Sequence, residues 1–244
     1  MAEAIHVTPE SRLFARLEQD RFDAGRAGPF AVAGAVLKSQ GAVIRDVQQA
    51  RHLPAYLGSL FAATLLLSAA YGAVLGLFQP GLQTLFAALK LPIVVLGSAL
   101  LCAPTFFVFN SILGSKLGFP QTVAVVLYLA ASAALVLVAF APIAWLFTVS
   151  SGGPGFLRGL HLLVFLIAAA YGLRSLNTAR RYLNYIDATQ TPVHGGFLFL
   201  WFGIVVFVAL QMAWYFRPLL LPGPFHSGQR GLFFEAFSLW TGAP

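Results

Sequence analysis

Two apolar runs, Leu91–Leu113 and Gln121–Val149, are separated only by Gly114-Ser-Lys-Leu-Gly-Phe-Pro120. Each run exceeds the roughly 20 residues that carry a helix across a hydrocarbon core of about 30 Å. So short a link makes the two helices antiparallel neighbours. The stretch therefore reads as a transmembrane helical hairpin with Lys116 at its tip.

The remaining apolar segments extend this reading to an all-α, polytopic transmembrane bundle of five spans, with amphipathic interfacial helices at both ends. The spans are expected at about 55–78, 91–113, 121–149, 156–176 and 197–216. Residues 1–53 form a cytoplasmic amphipathic segment, 54–217 the transmembrane domain and 218–244 an outer-side interfacial tail. Only 9% of the 244 residues are charged, against about 25% in soluble domains. The net charge of +7 fits a membrane chain whose basic residues set orientation, and no nucleic-acid partner is expected. The acids and arginines mixed through the first 27 residues do not fit a signal peptide, so that segment is read as retained.

Residues 1–53 hold seven of the 15 basic and six of the eight acidic residues. Leu13, Phe14, Leu17 and Phe22 fall on one helical stripe, and Val43, Ile44, Val47 and Ala50 on another. Such helices suit a membrane interface or the cytoplasmic ends of a bundle. Phe30–Leu37 is apolar but too short to span. Leu82–Leu89 is also too short and is read as an interfacial or partly re-entrant turn, with Lys90 at its end.

The first span carries Thr64, Ser68, Gly72 and Gly76, spaced by four on one face. Strips of small residues let helix backbones approach closely in lipid, where packing drives association. Ala168 and Gly172 repeat the spacing in the fourth span. Pro104 and Pro142 are expected to kink the second and third spans, because proline removes a backbone donor. Asn110 is placed to hydrogen-bond across helices near the membrane edge, ahead of ligand binding, and with Gln211 it is a polar group from which a cavity would be built. Asn177–Thr191 is read as a polar loop. Arg174, Arg180 and Arg181 are placed to anchor at, or bind, anionic lipid headgroups. The Gly231–Trp240 stretch is expected to lie on the outer membrane boundary.

With five spans, the N-terminus, the Lys116 hairpin and Arg174–Arg181 share one side, which receives eleven Lys and Arg against four opposite. The positive-inside rule then puts the N-terminus in the cytoplasm and the C-terminus outside.

Several chemistries lack their residues. No Asp or Glu lies within the expected spans, whereas proton-coupled carriers use intramembrane carboxylates or histidines. His6, His52, His161, His194 and His226 are scattered over different segments, and Cys102 is the single cysteine. That pattern offers no zinc-ligand cluster. Neither HExxH nor a phosphate-cradling GxxxxGK[ST] loop occurs. Ser150 and Ser151 lie ten or so residues before His161, but no carboxylate accompanies them, and a turn is the plainer reading. No catalytic residue, metal or cofactor is assigned.

The stretch Leu89-Lys-Leu-Pro-Ile-Val-Val-Leu96, the later Cys102-Ala-Pro-Thr-Phe-Phe-Val-Phe-Asn-Ser-Ile-Leu-Gly114 and the long run that follows resemble bacterial five-span proteins of the Yip1-like family. The ending Gln211-Met-Ala-Trp-Tyr-Phe-Arg-Pro218, with Pro224-Phe225 and Phe233-Phe234-Glu235, resembles the tail of uncharacterised bacterial membrane proteins of this length. The resemblance implies five helices, a cytoplasmic N-terminus, a bacterial inner-membrane location and no catalytic residues. Eukaryotic Yip1 relatives are linked to membrane trafficking and shaping through partners. Two functions are carried forward. The first is a non-enzymatic scaffold or subunit of a membrane assembly, partnered by lipids and by other membrane subunits or its own copies. The second is a transporter or channel component for a neutral or lipidic solute, with membrane enzyme a distant third.

Overall fold

The computed structural model describes residues 9–22, 28–78, 80–112, 114–150, 153–186, 195–216 and Phe225. Three short helices come first: α1 Pro9–Gln19, α2 Pro29–Lys38 and α3 Gln40–Gln48. Five long ones follow: α4 Leu53–Gly76, α5 Leu82–Ile112, α6 Phe119–Ser150, α7 Pro154–Ile186 and α8 Gly195–Tyr215. No strand occurs among the described residues. All five long helices are apolar enough to cross a bilayer, and the protein is a multi-pass integral membrane protein.

The bundle is built around α4 and α6. Helix α4 packs most extensively on α5 and α6, α6 also on α7, and α8 mainly on α5. In the apolar window of α6, 61% of residues are buried, against 17% in α8, so α6 is the core and α8 the flank. The exposed side chains of α7 and α8 include Leu162, Leu163, Leu166, Phe199 and Leu200. In lipid such a surface is solvated by acyl chains, and helix contacts come from packing instead.

Three helices are longer than the sequence indicates. Leu82–Leu89 is the first part of α5 and not a separate turn. The helix passes through both Pro92 and Pro104. Neighbouring helices make proline tolerable in a membrane helix, because they satisfy or shield the freed carbonyls. Pro142 likewise does not end α6, which continues to Ser150. Residues 177–186, read as loop, are the last turns of α7. Helical hydrogen bonding is internal to the segment, so polar side chains leaving the apolar core do not terminate it. Residues 187–191 of that expected loop lie outside the described residues, as do 218–244 except Phe225, and with them Gly231–Trp240.

Helices α1 to α3 form a cap against one end of the bundle. Proline opens α2 and lies in the first turn of α4, where its missing N–H costs nothing. Val32, Val36, Val43 and Val47 join Tyr56 and Leu60 of α4 in the main core. Helix α2, too short to span, packs on α4 and α6 and leaves Phe30 and Leu37 exposed. Leu17 is the buried residue of the α1 stripe, while Leu13 is exposed and Phe14 half-buried. Ala50 is not on the buried face of α3 but beyond its end, at φ +54°. There the Ala50 N–H donates to the Val47 carbonyl and the Arg51 N–H to that of Asp46, a Schellman ending. The same motif closes α5: Gly114 has φ +88°, its N–H reaches Ser111 O, and the Ser115 N–H reaches Asn110 O.

Candidate functional site

One side chain of the cap reaches three helices. Arg45 of α3 is positioned by burial of Ala42, Val43, Ile44 and Val47 on the opposite faces of its short helix. Its Nη1 donates to the carbonyls of Leu17 (2.7 Å) and Glu18 (3.1 Å), and its Nη2 to that of Asp20 (2.5 Å). These are the orphan acceptors at the end of α1, where a cation also suits the helix dipole. Nη1 also donates to Tyr182 Oη of α7 at 2.8 Å. One guanidinium thus ties α1, α3 and α7, using its fork of fixed donors.

Neighbouring contacts secure the same junction. The Gly41 N–H donates to Asp20 Oδ2 at 3.0 Å. A Cβ on Gly41 would run into the backbone of Leu17, so only glycine allows the approach. Tyr56 donates to Asp46 Oδ2 at 2.8 Å, fixing α3 to α4. Gln121 Nε2 donates to the carbonyls of Val47 (3.1 Å) and Gln48 (2.5 Å), capping α3 from α6. Phe14 stacks on Tyr185 with centroids 4.8 Å apart.

The small-residue strip of α4 lies against α5. A Cβ built on Gly72 would sit 2.5 Å from the Ala87 carbonyl oxygen, and one on Gly76 2.5 Å from Thr84 Cα. Thr64 and Ser68 are fully buried and turn their hydroxyls back to the Leu60 and Thr64 carbonyls at 2.7 and 2.5 Å. Ala168 is buried in the second core cluster, and a Cβ on Gly172 would meet Leu129 of α6 at 3.0 Å.

At the end of the bundle away from the cap, Tyr71 Oη of α4 and His161 Nδ1 of α7 form a buried hydrogen bond of 2.9 Å. The rings meet edge to face, and Phe165 adds a second edge contact to Tyr71. His161 Nε2 is buried without a hydrogen-bond partner. Ser150 does not pair with His161: it is exposed and donates to the Leu146 carbonyl. Ser151 lies outside the described residues. Lys90 is fully buried, its Nζ 5.8 Å from the Phe86 centroid and 5.4 Å from that of Phe225. Aromatic faces attract a cation, which lets this lysine sit inside α5 without ending the helix.

Asn110 and Gln211 do not share a cavity. Asn110 is in the last turn of α5, beside the first turns of α8, where Phe109 packs on Phe197. Gln211 is about 20 Å further along α8 at 1.5 Å per residue. Asn110 instead lines a recess of about 40 Å³ next to the cap, together with Gln48, Ser115, Arg180 and Asn184. Arg180 Nε and Nη2 donate to Asn177 Oδ1 at 3.2 and 3.0 Å, whereas Arg174 is exposed on α7 and Arg181 is half-buried. Among the described residues, no three His, Cys, Asp or Glu side chains are grouped to hold a metal ion. Cys102 is buried and in no disulfide, and its carbonyl accepts from Trp201 Nε1 of α8 at 3.1 Å.

Sequence reasoning missed Arg45, Tyr71, Gln121 and Trp201. A faint signal existed for the first: Arg45-Asp46 is a charged pair between the apolar residues Ile44 and Val47. Comparison of the chain with family models, with curated proteins and with solved structures finds no match.

Proposed function

We propose that this protein is a non-enzymatic scaffold or subunit of a larger membrane assembly, whose cap presents a fixed surface to partners. The observation that carries the reading is the fastening of α1 and α3 to α7 through Arg45. A cap held by this four-way junction, by Tyr56 and Gln121 and by its apolar face is a platform continuous with the transmembrane core. Partners of this reading are other membrane subunits or further copies of the chain, together with lipid around α7 and α8. Membrane shaping through such partners follows the Yip1-like resemblance. So do a bacterial inner-membrane location and a cytoplasmic cap, the latter favoured also by the excess of Lys and Arg on the cap side.

The transport reading has less behind it. Its two polar groups, Asn110 and Gln211, lie far apart along the bundle. The recess beside Asn110, at about 40 Å³, accommodates only a few water-sized groups.

Purification from native membranes in mild detergent, with mass spectrometry of the chains that accompany it, tests the proposal. Stoichiometric partners or a defined homo-oligomer are expected, and Arg45→Met should release hetero-partners while the bundle stays in the membrane. A lone monomer carrying a defined solute would overturn the scaffold reading. Reporters active on one side only, fused at each terminus, test the topology: two reports from the same side would contradict the five-span orientation.

A further inference from the structure

The recess beside the cap has an unusual lining. Asn110 is 3% exposed, and its Oδ1 has no hydrogen-bond partner. Gln48 Oε1 is also buried and unpartnered, and both side chains line this one recess. Buried acceptors without donors are uncommon, and two on residues that line one recess point to a molecule or water that supplies donors. Arg180 lines the same recess, so a positive charge adjoins the two acceptors. Its Nη2 lies 3.5 Å from a Cβ built on Gly195, which fixes the guanidinium beside the start of α8.

The position sets the depth. Asn110 is in the last turn of α5, Leu198 in the first turn of α8, and Ser115 in the link between α5 and α6. All lie where spanning helices end, at the level of lipid headgroups. The volume of about 40 Å³ admits two hydroxyls or two to three waters.

We propose that this recess binds a polyol phosphate headgroup, with vicinal hydroxyls donating to Asn110 Oδ1 and Gln48 Oε1 and the phosphate beside Arg180. Phosphatidylglycerol supplies that chemistry from the membrane, and glycerol 3-phosphate supplies it from solution. Phosphatidylcholine supplies the phosphate without donors. The site is independent of the scaffold reading, since it requires no protein partner.

The test is the melting temperature of the full-length protein in detergent, titrated with phosphatidylglycerol, phosphatidylcholine, phosphatidylethanolamine or glycerol 3-phosphate. Phosphatidylglycerol is expected to raise it by several degrees more than phosphatidylcholine. Asn110→Leu fills the recess with apolar atoms and removes one orphan acceptor. It should melt at or above wild type in phosphatidylcholine, yet bind phosphatidylglycerol at least tenfold more weakly. Gln48→Met provides a second variant with the same expectation should Asn110→Leu fail to fold. A shift with glycerol 3-phosphate supports the same site and assigns its source to the soluble pool. Equal shifts with phosphatidylglycerol and phosphatidylcholine would overturn the proposal, leaving a recess filled by water only. A shift with phosphatidylethanolamine equal to that with phosphatidylglycerol, or an undiminished shift in the variants, would overturn the hydroxyl assignment as well.

Discussion

Substituting alanine at Gly72 sets two opposing effects against each other. The new Cβ would lie 2.5 Å from Ala87 O, 3.0 Å from Ala88 Cα and 3.1 Å from Ala87 C, all main-chain atoms of α5. Ordinary carbon contacts begin near 3.5 Å, so the helices must part by roughly 1 Å. A gap of that size forfeits a quarter to a half of each contact's attraction along the seam. Overpacking of this kind costs about 1–3 kcal/mol. Against it, replacing glycine in a helix favours alanine by roughly 0.5–1 kcal/mol. The net expectation is a loss of about 1–2 kcal/mol for Gly72→Ala. Gly203 of α8 provides the control, because nothing lies within 4 Å of a Cβ built there. Gly203→Ala should be neutral or stabilising by up to about 1 kcal/mol. Equilibrium unfolding in mixed micelles, by denaturing detergent titration, reads both. Gly72→Ala at least as stable as Gly203→Ala would refute the close-approach argument.

Four further outcomes follow from the contacts above. Arg45→Met keeps the bulk but removes the donors from three carbonyls and Tyr182, so α1 should become open to protease and fast in amide exchange; protection equal to wild type would count against the junction. Tyr71→Phe leaves buried His161 without its partner and should cost about 1–3 kcal/mol, and a double-mutant cycle with His161→Leu should be strongly non-additive; additive losses would show the pair to be uncoupled. Ala50→Gly relieves a left-handed alanine in a Schellman ending and should stabilise by up to about 1 kcal/mol, read as a rise in melting temperature; a fall would contradict the assigned strain. Trp201→Phe removes the bond to Cys102 O and part of a fully buried indole, for an expected loss of about 2–3 kcal/mol in the same unfolding assay; no loss would mean that neither the bond nor the packing adds anything net.

The spans were legible because crossing a bilayer is a matter of apolar length, and five stretches meet it. The α4 strip was legible for a related reason: Gly72 and Gly76 act through the absence of a side chain, and their spacing alone puts them on one face. What misled was charge read one residue at a time. Lys90 looked like a boundary, yet Phe86 one turn away and Phe225, far along the chain, cover its amine. Arg180 and Arg181 looked like loop, although a helix emerging from lipid loses nothing by carrying them. The Arg45 junction was illegible because its acceptors lie 25 to 28 residues before it and its fourth partner 137 residues after it. Main-chain carbonyls carry no sequence signature at all. The grouping of Asn110 with Gln211 rested on polarity without depth.

Helix α7 carries His161 near one end and Tyr182 near the other, on one unbroken run of 33 residues. The two side chains are separated by about 32 Å of helix at 1.5 Å per residue. Such a rod behaves as a lever. A tilt of about 5° around its midpoint moves each end by roughly 1.4 Å in opposite directions, from the same helical rise. That displacement exceeds what a hydrogen bond of ordinary length tolerates. Tilting α7 against a stationary α4 and cap would therefore strain the Tyr71–His161 and Arg45–Tyr182 bonds together, so the two ends of the bundle share one rod.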